Sequence, residues 1–305
     1  INILIDLGKL QESIILSKSS LEENSSNKEY QFFTSLQMTI ANLIRGNFSE
    51  ILLIINKTRE LINDGVINTI QDENNKKRTL TFFRFITSLY PLLKKENKSS
   101  ESELIPHVGE SHCLSFAHQT LSISSKPKQI QPVFIAGAKA WHFANAKNNQ
   151  KKDSLKQQIK NHTYSDTIFI SFGEIDCRKD EGILNYTIKN NKDISEVCKE
   201  TIQGYMNYME EMLSTNYSKR YYFGIPAPTR EKELPDELDS NRIEMVKLYN
   251  SLLKQEVLSR GSHFLDVYAL TSTKNGENNN LHMCDDIHLS PKCLSILFEN
   301  YLHKN

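Results

Sequence analysis

The sequence predicts an α/β domain that follows an all-helical segment. Up to about Lys95 the apolar residues recur at helical spacing, as in Leu36, Ile40 and Leu43. From about Ile105 onward, short apolar runs alternate with longer amphipathic stretches, which is typical of a parallel sheet covered by helices on both faces. A chain of 305 residues can form two domains. We expect them at residues 1–98 and 99–305.

The helical half contains a weak repeat. Gly8 is followed by an apolar residue two positions on and an acidic residue four positions on, and the same pattern starts again at Gly46. This pattern resembles the turn of a tetratricopeptide helix pair, with the polar stretch Glu22 to Lys28 as an insertion. An antiparallel stack of helical hairpins explains it equally well. In either case a concave helical surface would hold a protein partner or the second domain.

The charged, serine-rich segment Lys94 to Glu103 has no apolar periodicity and is expected to be a linker. Beyond it the best helices are Ile194 to Leu213 and Asn241 to Leu258, the latter with Asp239 and Ser240 as caps, and a final helix covers Cys293 to Leu302. The predicted strands are Leu104 to Val108, Pro132 to Ala136, Thr167 to Phe172, Arg220 to Ile225 and His263 to Tyr268.

The first predicted strand ends directly in the tetrapeptide Gly109-Glu110-Ser111-His112, and a helix is expected from Cys113. A serine at such a turn projects its hydroxyl over the edge of the sheet, where helix amides and the positive end of the helix dipole stabilise negative charge. Ser111 is therefore a candidate nucleophile. The alternative is that Ser111 only caps the helix.

A second motif, Asp285 to His288, lies on a loop just before the last helix. An aspartate three residues before a histidine can bind one ring nitrogen and leave the other free to accept a proton. An ordinary surface loop that ends in a helix cap explains the same residues.

A third group of polar residues follows the predicted strand that ends at Phe172. It includes Asp176 and Arg178, placed where ligands bind in parallel sheets. A simple surface ion pair between the two is the alternative. Gly137, after the second predicted strand, could offer a backbone amide.

The order of these motifs along the chain resembles the SGNH or GDSL hydrolase family from about Ile105 to the end. The resemblance implies a three-layer parallel-sheet domain with Ser111 as nucleophile and Asp285 and His288 completing a triad. It also implies oxyanion donors at the Ser111 amide and Gly137, and no cofactor or metal. Asp176, in the turn that follows the third predicted strand, and Arg178, by its proximity to that turn, are further candidates for oxyanion or substrate contacts. Two departures stand out: Glu110 replaces the usual Asp, and Ile175 occupies the position of an oxyanion Asn.

The resemblance implies a serine esterase or O-acyltransferase that acts on acyl esters, with acetyl esters of carbohydrates as the expected substrates. A rival reading takes the Ser111 turn and the Asp176 turn as loose metal-ligand motifs of a metal-dependent phosphoesterase. A third makes the domain a degenerate enzyme that binds a ligand on a helical scaffold. This third interpretation stays open because the side chain of Ile175 cannot donate a hydrogen bond to an oxyanion.

Composition limits the partners. Lys plus Arg and Asp plus Glu both number 37, which does not favour nucleic acid. The apolar runs are far shorter than the ~20 residues of a membrane span. The five cysteines form no CxxC pair, which favours reduced thiols and hence the cytoplasm. The compartment stays open, since the chain begins at Ile1 without methionine.

Overall fold

The computed structural model describes residues 2–93, 102–123, 126–231 and 234–304. Six strands form one sheet: β1 Glu103–Gly109, β2 Thr120–Ile123, β3 Lys126–Phe134, β4 Thr167–Ser171, β5 Lys219–Phe223 and β6 His263–Leu265. Their order across the sheet is β2-β3-β1-β4-β5-β6. Every neighbouring pair is parallel except β2 and β3. The sheet is therefore mixed and mostly parallel.

The antiparallel edge strand β2 departs from the predicted all-parallel sheet. It is only four residues long and alternates exposed and buried positions, so it forms no apolar run. The first half of β3 is also rich in polar residues, which is why its start at Lys126 lies well before the expected Pro132. Short edge strands need only one buried face, and an apolar-run criterion misses them.

Twelve α-helices are described: α1 Asn2–Asp6, α2 Leu10–Glu23, α3 Lys28–Arg45, α4 Phe48–Asn63, α5 Glu73–Leu89, α6 Ala140–Ala144, α7 Gln150–Lys160, α8 Ile183–Asn190, α9 Ile194–Leu213, α10 Asp236–Ser259, α11 Val267–Thr271 and α12 Cys293–Lys304. The predicted bounds of α9 are confirmed. Helix α10 begins before the expected caps, and the Asp239 carboxylate binds Arg242 from inside the first turn. No helix in the described ranges is both long and apolar enough to cross a membrane.

Alternate residues of the strands face two helical layers. Ile168 and Ile170 of β4 pack in a cluster with α7, α9 and α10, whereas Phe169 packs on the opposite face with α12. This alternation is the period of a strand buried on both faces. The predicted three-layer α/β arrangement is confirmed, and it places the carboxyl ends of β1 and β4 side by side.

The N-terminal helices pack against the α/β part. Phe85 and Ile86 of α5 share a buried cluster with Leu114 and Phe134. The predicted linker Lys94 to Glu103 lies largely outside the described residues, which resume at 102. Whether 1–98 and 99–305 are separate domains stays a prediction.

The repeated glycines lie at turns between helices. Gly8 and Gly46 have φ of 74° and 76°, a left-handed conformation that residues with a Cβ rarely adopt. Each is followed two residues later by the start of a helix, α2 or α4. The pattern therefore marks interhelix turns, which both the tetratricopeptide and the hairpin-stack readings require.

Candidate active site

Ser111 opens a short turn at the end of β1. The turn is a 3₁₀ helix over Ser111–Phe116 and not the expected α-helix. The chain reverses soon afterwards to enter β2, with His118 at φ 60°, and this leaves no room for a longer helix. Gly109, just before the turn, packs so tightly on β4 that a Cβ would lie 2.2 Å from Ser171 Oγ and 2.7 Å from the Ser171 carbonyl oxygen.

The loop that carries Asp285 and His288 is closed by backbone hydrogen bonds. The amide of Cys284 donates to the carbonyl of His288 at 2.8 Å. Asp285 Oδ1 accepts from the amides of Ile287 and His288 at 2.8 and 2.6 Å. These bonds hold the carboxylate beside the imidazole and do not depend on the contact with Ser111.

The structure brings Ser111, His288 and Asp285 into one hydrogen-bonded chain. His288 Nε2 lies 2.8 Å from Ser111 Oγ, and His288 Nδ1 lies 2.8 Å from Asp285 Oδ2. Because the ionised carboxylate only accepts, Nδ1 carries a hydrogen and Nε2 faces the hydroxyl. Burial opposes ionisation of Asp285, but the bonds and charge of His288 hold the pKa of this carboxyl below its usual range. Burial lowers the pKa of His288, which favours the neutral base.

A second ionisable pair lies against the same hydroxyl. Glu110 Oε2 is 2.6 Å from Ser111 Oγ, and Glu110 Oε1 is 2.7 Å from His112 Nδ1. His112 Nε2 faces the carbonyl oxygen of Ile287 at 3.2 Å. Burial works against both charges, yet each partner stabilises the other, so the pKa of Glu110 is lowered and that of His112 is raised.

An aromatic side chain from the N-terminal helices covers the histidine. Phe85 of α5 stacks on the His288 ring with centroids 3.7 Å apart and planes 20° apart. Phe85 is fully buried, and His288 and Ser111 are only 3% and 7% exposed. The N-terminal helices therefore form one wall of the site.

The other residues predicted for the site are not all at Ser111. The carboxylate of Asp176 accepts from the amides of Ala140 and Trp141 at 2.7 and 3.0 Å, and so holds the start of α6. Gly137 lies just before this helix with φ 61°. Burial raises the pKa of Asp176 to about 6.

Arg178 forms an ion pair with a neighbouring carboxylate. Its guanidinium donates to both oxygens of Glu174, with the shortest contact 2.6 Å, whereas the alternative interpretation paired it with Asp176. This two-point pairing is the geometry that guanidinium and carboxylate groups favour. Ile175 is buried in the same turn, and its side chain offers no hydrogen-bond donor.

One group of described residues has the composition of a metal site. Ligand atoms of Glu110, His112 and Glu174 lie within 4.8 Å of one another. His112 directs both ring nitrogens at oxygen acceptors, and Glu174 is paired with Arg178, so a cation would have to break both arrangements. We assign no metal to them. All five cysteines are free, and burial raises the pKa of Cys284 beside the loop.

A recess adjoins the Glu110 side of the site. It is narrow, with room for little more than a water-sized group between its walls. Glu110, His112 and Glu174 supply its polar side, and Phe223 and Ile225 are among its apolar walls. Apolar walls with a few polar groups at one end are typical of small-molecule sites.

Sequence reasoning missed three contributors to this site. Glu110 and His112 belong to the quoted motif, and a charged pair flanking a serine could have been read as a candidate proton network. Phe85 is marked only by helical periodicity, which predicts burial without naming the residue it will touch.

The chain is similar in fold to a GDSL-like lipase, an acetylxylan esterase and a phospholipase A1 of known structure. A GDSL-like lipase from Bacteroides thetaiotaomicron is 13% identical over 72% of this chain and 94% of its own, with a TM-score of 0.45. A catalytic mutant of an acetylxylan esterase from Geobacillus stearothermophilus is 12% identical over 68% of this chain and 96% of its own, with a TM-score of 0.41. A phospholipase A1 from Streptomyces albidoflavus is 12% identical over 67% and 99%, with a TM-score of 0.36.

No protein-family model matches the chain, and no curated protein is similar to it at a significant level. At these identities and TM-scores, any chemistry of the chain has to be argued from the side chains around Ser111.

Proposed function

We propose that the chain is a serine esterase or O-acyltransferase of the SGNH type that acts on acyl esters, with Ser111 as the nucleophile. The observation that carries the proposal is the chain of hydrogen bonds from Ser111 through His288 to Asp285. A hydroxyl in contact with a neutral imidazole whose tautomer is fixed by a carboxylate can be deprotonated as it attacks.

In the proposed reaction Ser111 Oγ attacks the ester carbonyl while its hydrogen moves to His288 Nε2. Asp285 stabilises the imidazolium that forms. The tetrahedral intermediate then loses the alcohol, which takes the proton from His288, and an ester of Ser111 remains. Water resolves this acyl-enzyme in an esterase, and a sugar hydroxyl resolves it in an O-acyltransferase. Each step conserves protons and charge.

The recess favours a small acyl group. The recess is narrow, and Glu110 and His112, which flank Ser111 in sequence, line one end of it. We therefore expect acetyl esters to react faster than long-chain esters, and we propose acetylated carbohydrates as the substrate class. The backbone amides of Ser111 and Gly137 are the proposed oxyanion donors, because the side chain of Ile175 has no hydrogen-bond donor.

A fluorophosphonate probe tests the nucleophile. We expect the wild-type protein to gain one covalent label, located at Ser111 by mass spectrometry, and Ser111→Ala to gain none. Ser115→Ala is the matched control, since Ser115 lies in the same turn and its buried hydroxyl has no hydrogen-bond partner among the residues that the structure describes. It should label like wild type. A folded wild-type protein that takes no label at Ser111 would remove the proposal.

Aryl esters of increasing chain length then test the substrate. We expect turnover to fall steeply from acetyl to octanoyl. Release of acetate with and without an added sugar acceptor, followed by mass analysis of the sugar, distinguishes hydrolysis from transfer.

A further inference from the structure

The hydroxyl of Ser111 has one hydrogen and two neighbours that can accept it. Glu110 Oε2 lies 2.6 Å away, within the range of a hydroxyl bound to a carboxylate. His288 Nε2 lies 2.8 Å away. Both contacts can be satisfied together only if one neighbour carries an additional hydrogen. Glu110 and His288 therefore compete for the hydrogen of Ser111, and an isolated triad has no such competition.

The contacts of His112 identify Glu110 as the charged competitor. Both nitrogens of the His112 ring face oxygen atoms that accept, one on Glu110 and one on the Ile287 backbone. A neutral imidazole could satisfy only one of them, so these contacts favour the imidazolium. An imidazolium 2.7 Å from Glu110 in turn favours the ionised carboxylate.

We propose that Glu110 and His112 are a positioning pair, in which the Glu110 carboxylate competes with His288 for the hydroxyl hydrogen of Ser111 and the His112 charge limits that competition. The inference rests on the proposed function for its catalytic meaning. Its structural content, a charged His112 and a shared hydrogen at Ser111, is independent of any substrate.

Two proton arrangements follow. When His288 is an imidazolium, it donates to Ser111, and Ser111 donates to Glu110, so every contact is satisfied. When His288 loses its Nε2 hydrogen, the hydroxyl must turn from Glu110 to His288 before it can react. The Glu110 contact therefore stabilises the protonated, unreactive form of His288.

Other charged groups around the pair do not touch the hydroxyl. Arg178 favours ionised Glu110 through space, and Glu174 favours charged His112. On the side of His288, Asp285 favours the charged ring and His112 opposes it. Phe85, which packs on the ring from α5, carries no charge. Glu110 is thus the competitor that acts by direct contact.

The variant Glu110→Gln removes the competition for the hydrogen of Ser111 and keeps the shape of the side chain. Its amide oxygen can still accept from His112, and its amide nitrogen can donate to Ser111 Oγ, which leaves the hydroxyl hydrogen to His288. We expect the acid limb of the pH profile for fluorophosphonate labelling to move down by about one pH unit, the size expected for losing one charge-assisted hydrogen bond. Glu174→Gln is the matched control, because it removes a neighbouring carboxylate without a contact to Ser111.

Nitrogen-15 NMR of the histidine rings tests the same inference without turnover. With His112→Gln used to assign its signals, we expect His112 to be doubly protonated at pH 7.5 (about one unit above the ordinary histidine pKa) in the wild type. A neutral wild-type His112 would overturn the inference even if Ser111 is labelled. A charged His112 with no label at Ser111 supports the pair and removes the proposed function. Equal shifts of the acid limb in Glu110→Gln and Glu174→Gln would overturn the role of the direct contact.

Discussion

The stack of Phe85 on His288 predicts that a helix remote in sequence controls the rate at Ser111. The variant Phe85→Leu keeps an apolar side chain of similar length but removes the flat face against the imidazole. Such ring pairs contribute about 0.5–1.5 kcal/mol beyond their buried area. If that energy holds the ring in its reactive orientation, the labelling rate of Ser111 should fall about two- to tenfold.

A matched variant separates this effect from general loss of packing. Phe32 is also fully buried in the N-terminal helices, but it packs with Leu61, Val66 and Ile70 in a separate cluster. We expect Phe32→Leu and Phe85→Leu each to lower the free energy of unfolding by about 1–3 kcal/mol. The assay is the second-order rate of fluorophosphonate labelling, beside a urea titration. Equal labelling rates for the two folded variants would refute the role of the stack.

The remaining predictions concern the sheet edge and its ion pairs. Gly109→Ala should lower the unfolding free energy by about 1–3 kcal/mol or more in a urea titration, because the new Cβ would lie 2.7 Å from the Ser171 carbonyl oxygen. Asp176 has a pKa raised to about 6, so its contribution to stability is full below its unfolded pKa of about 4 and is lost as pH rises through 6. Asp176→Asn should remove a pH-dependent change of about 3 kcal/mol, and unchanged curves from pH 4 to 7 would contradict this. A chelator should leave Ser111 labelling unchanged, and loss of labelling that zinc or magnesium restores would favour the metal reading.

The elements predicted best from the sequence are those that are buried along their whole length. Every position of β4 is buried, and its apolar run predicted both its start at Thr167 and its end to within one residue. Buried residues recur at helical spacing along the twenty residues of α9, and the prediction matches both ends of this helix. Edge strand β2 and the 3₁₀ turn after Ser111 were missed, because their form depends on neighbours that the local pattern does not name.

In the candidate site, too, some features follow from the sequence pattern and others depend on neighbours that the pattern does not name. Parallel strands bring their carboxyl ends to one edge of a sheet, and this rule is the basis for expecting Ser111 near His288. In the structure Ser111 Oγ contacts His288 Nε2, 177 residues further on. That the two residues act together in catalysis stays a prediction. Asp176 is expected at the same edge, and its carboxylate accepts from an amide of α6. A contact between Asp176 and substrate stays a prediction. Sequence position fixes which edge a residue reaches, whereas side-chain direction depends on the local turn.

Glu110 illustrates what one additional methylene group can do. The side chain of Glu110 places one carboxylate oxygen on Ser111 and the other on His112. Sequence comparison alone treats Glu for Asp as a mild change, since the charge is the same. Under the proposed function, the change affects which group accepts the hydrogen of Ser111.

Contacts between the helical and α/β parts bear on how the N-terminal helices act. His118 Nε2 contacts the Leu43 carbonyl oxygen at 2.8 Å, and the Ala136 amide donates to Asp6 at 3.2 Å. These bonds anchor α3 and α1 to segments that follow β1 and β3, and α5 adds Phe85 at the site itself. A scaffold that only displays an independent enzyme needs no such contacts. These contacts, together with the stack of Phe85 on His288, make the N-terminal helices part of the candidate site.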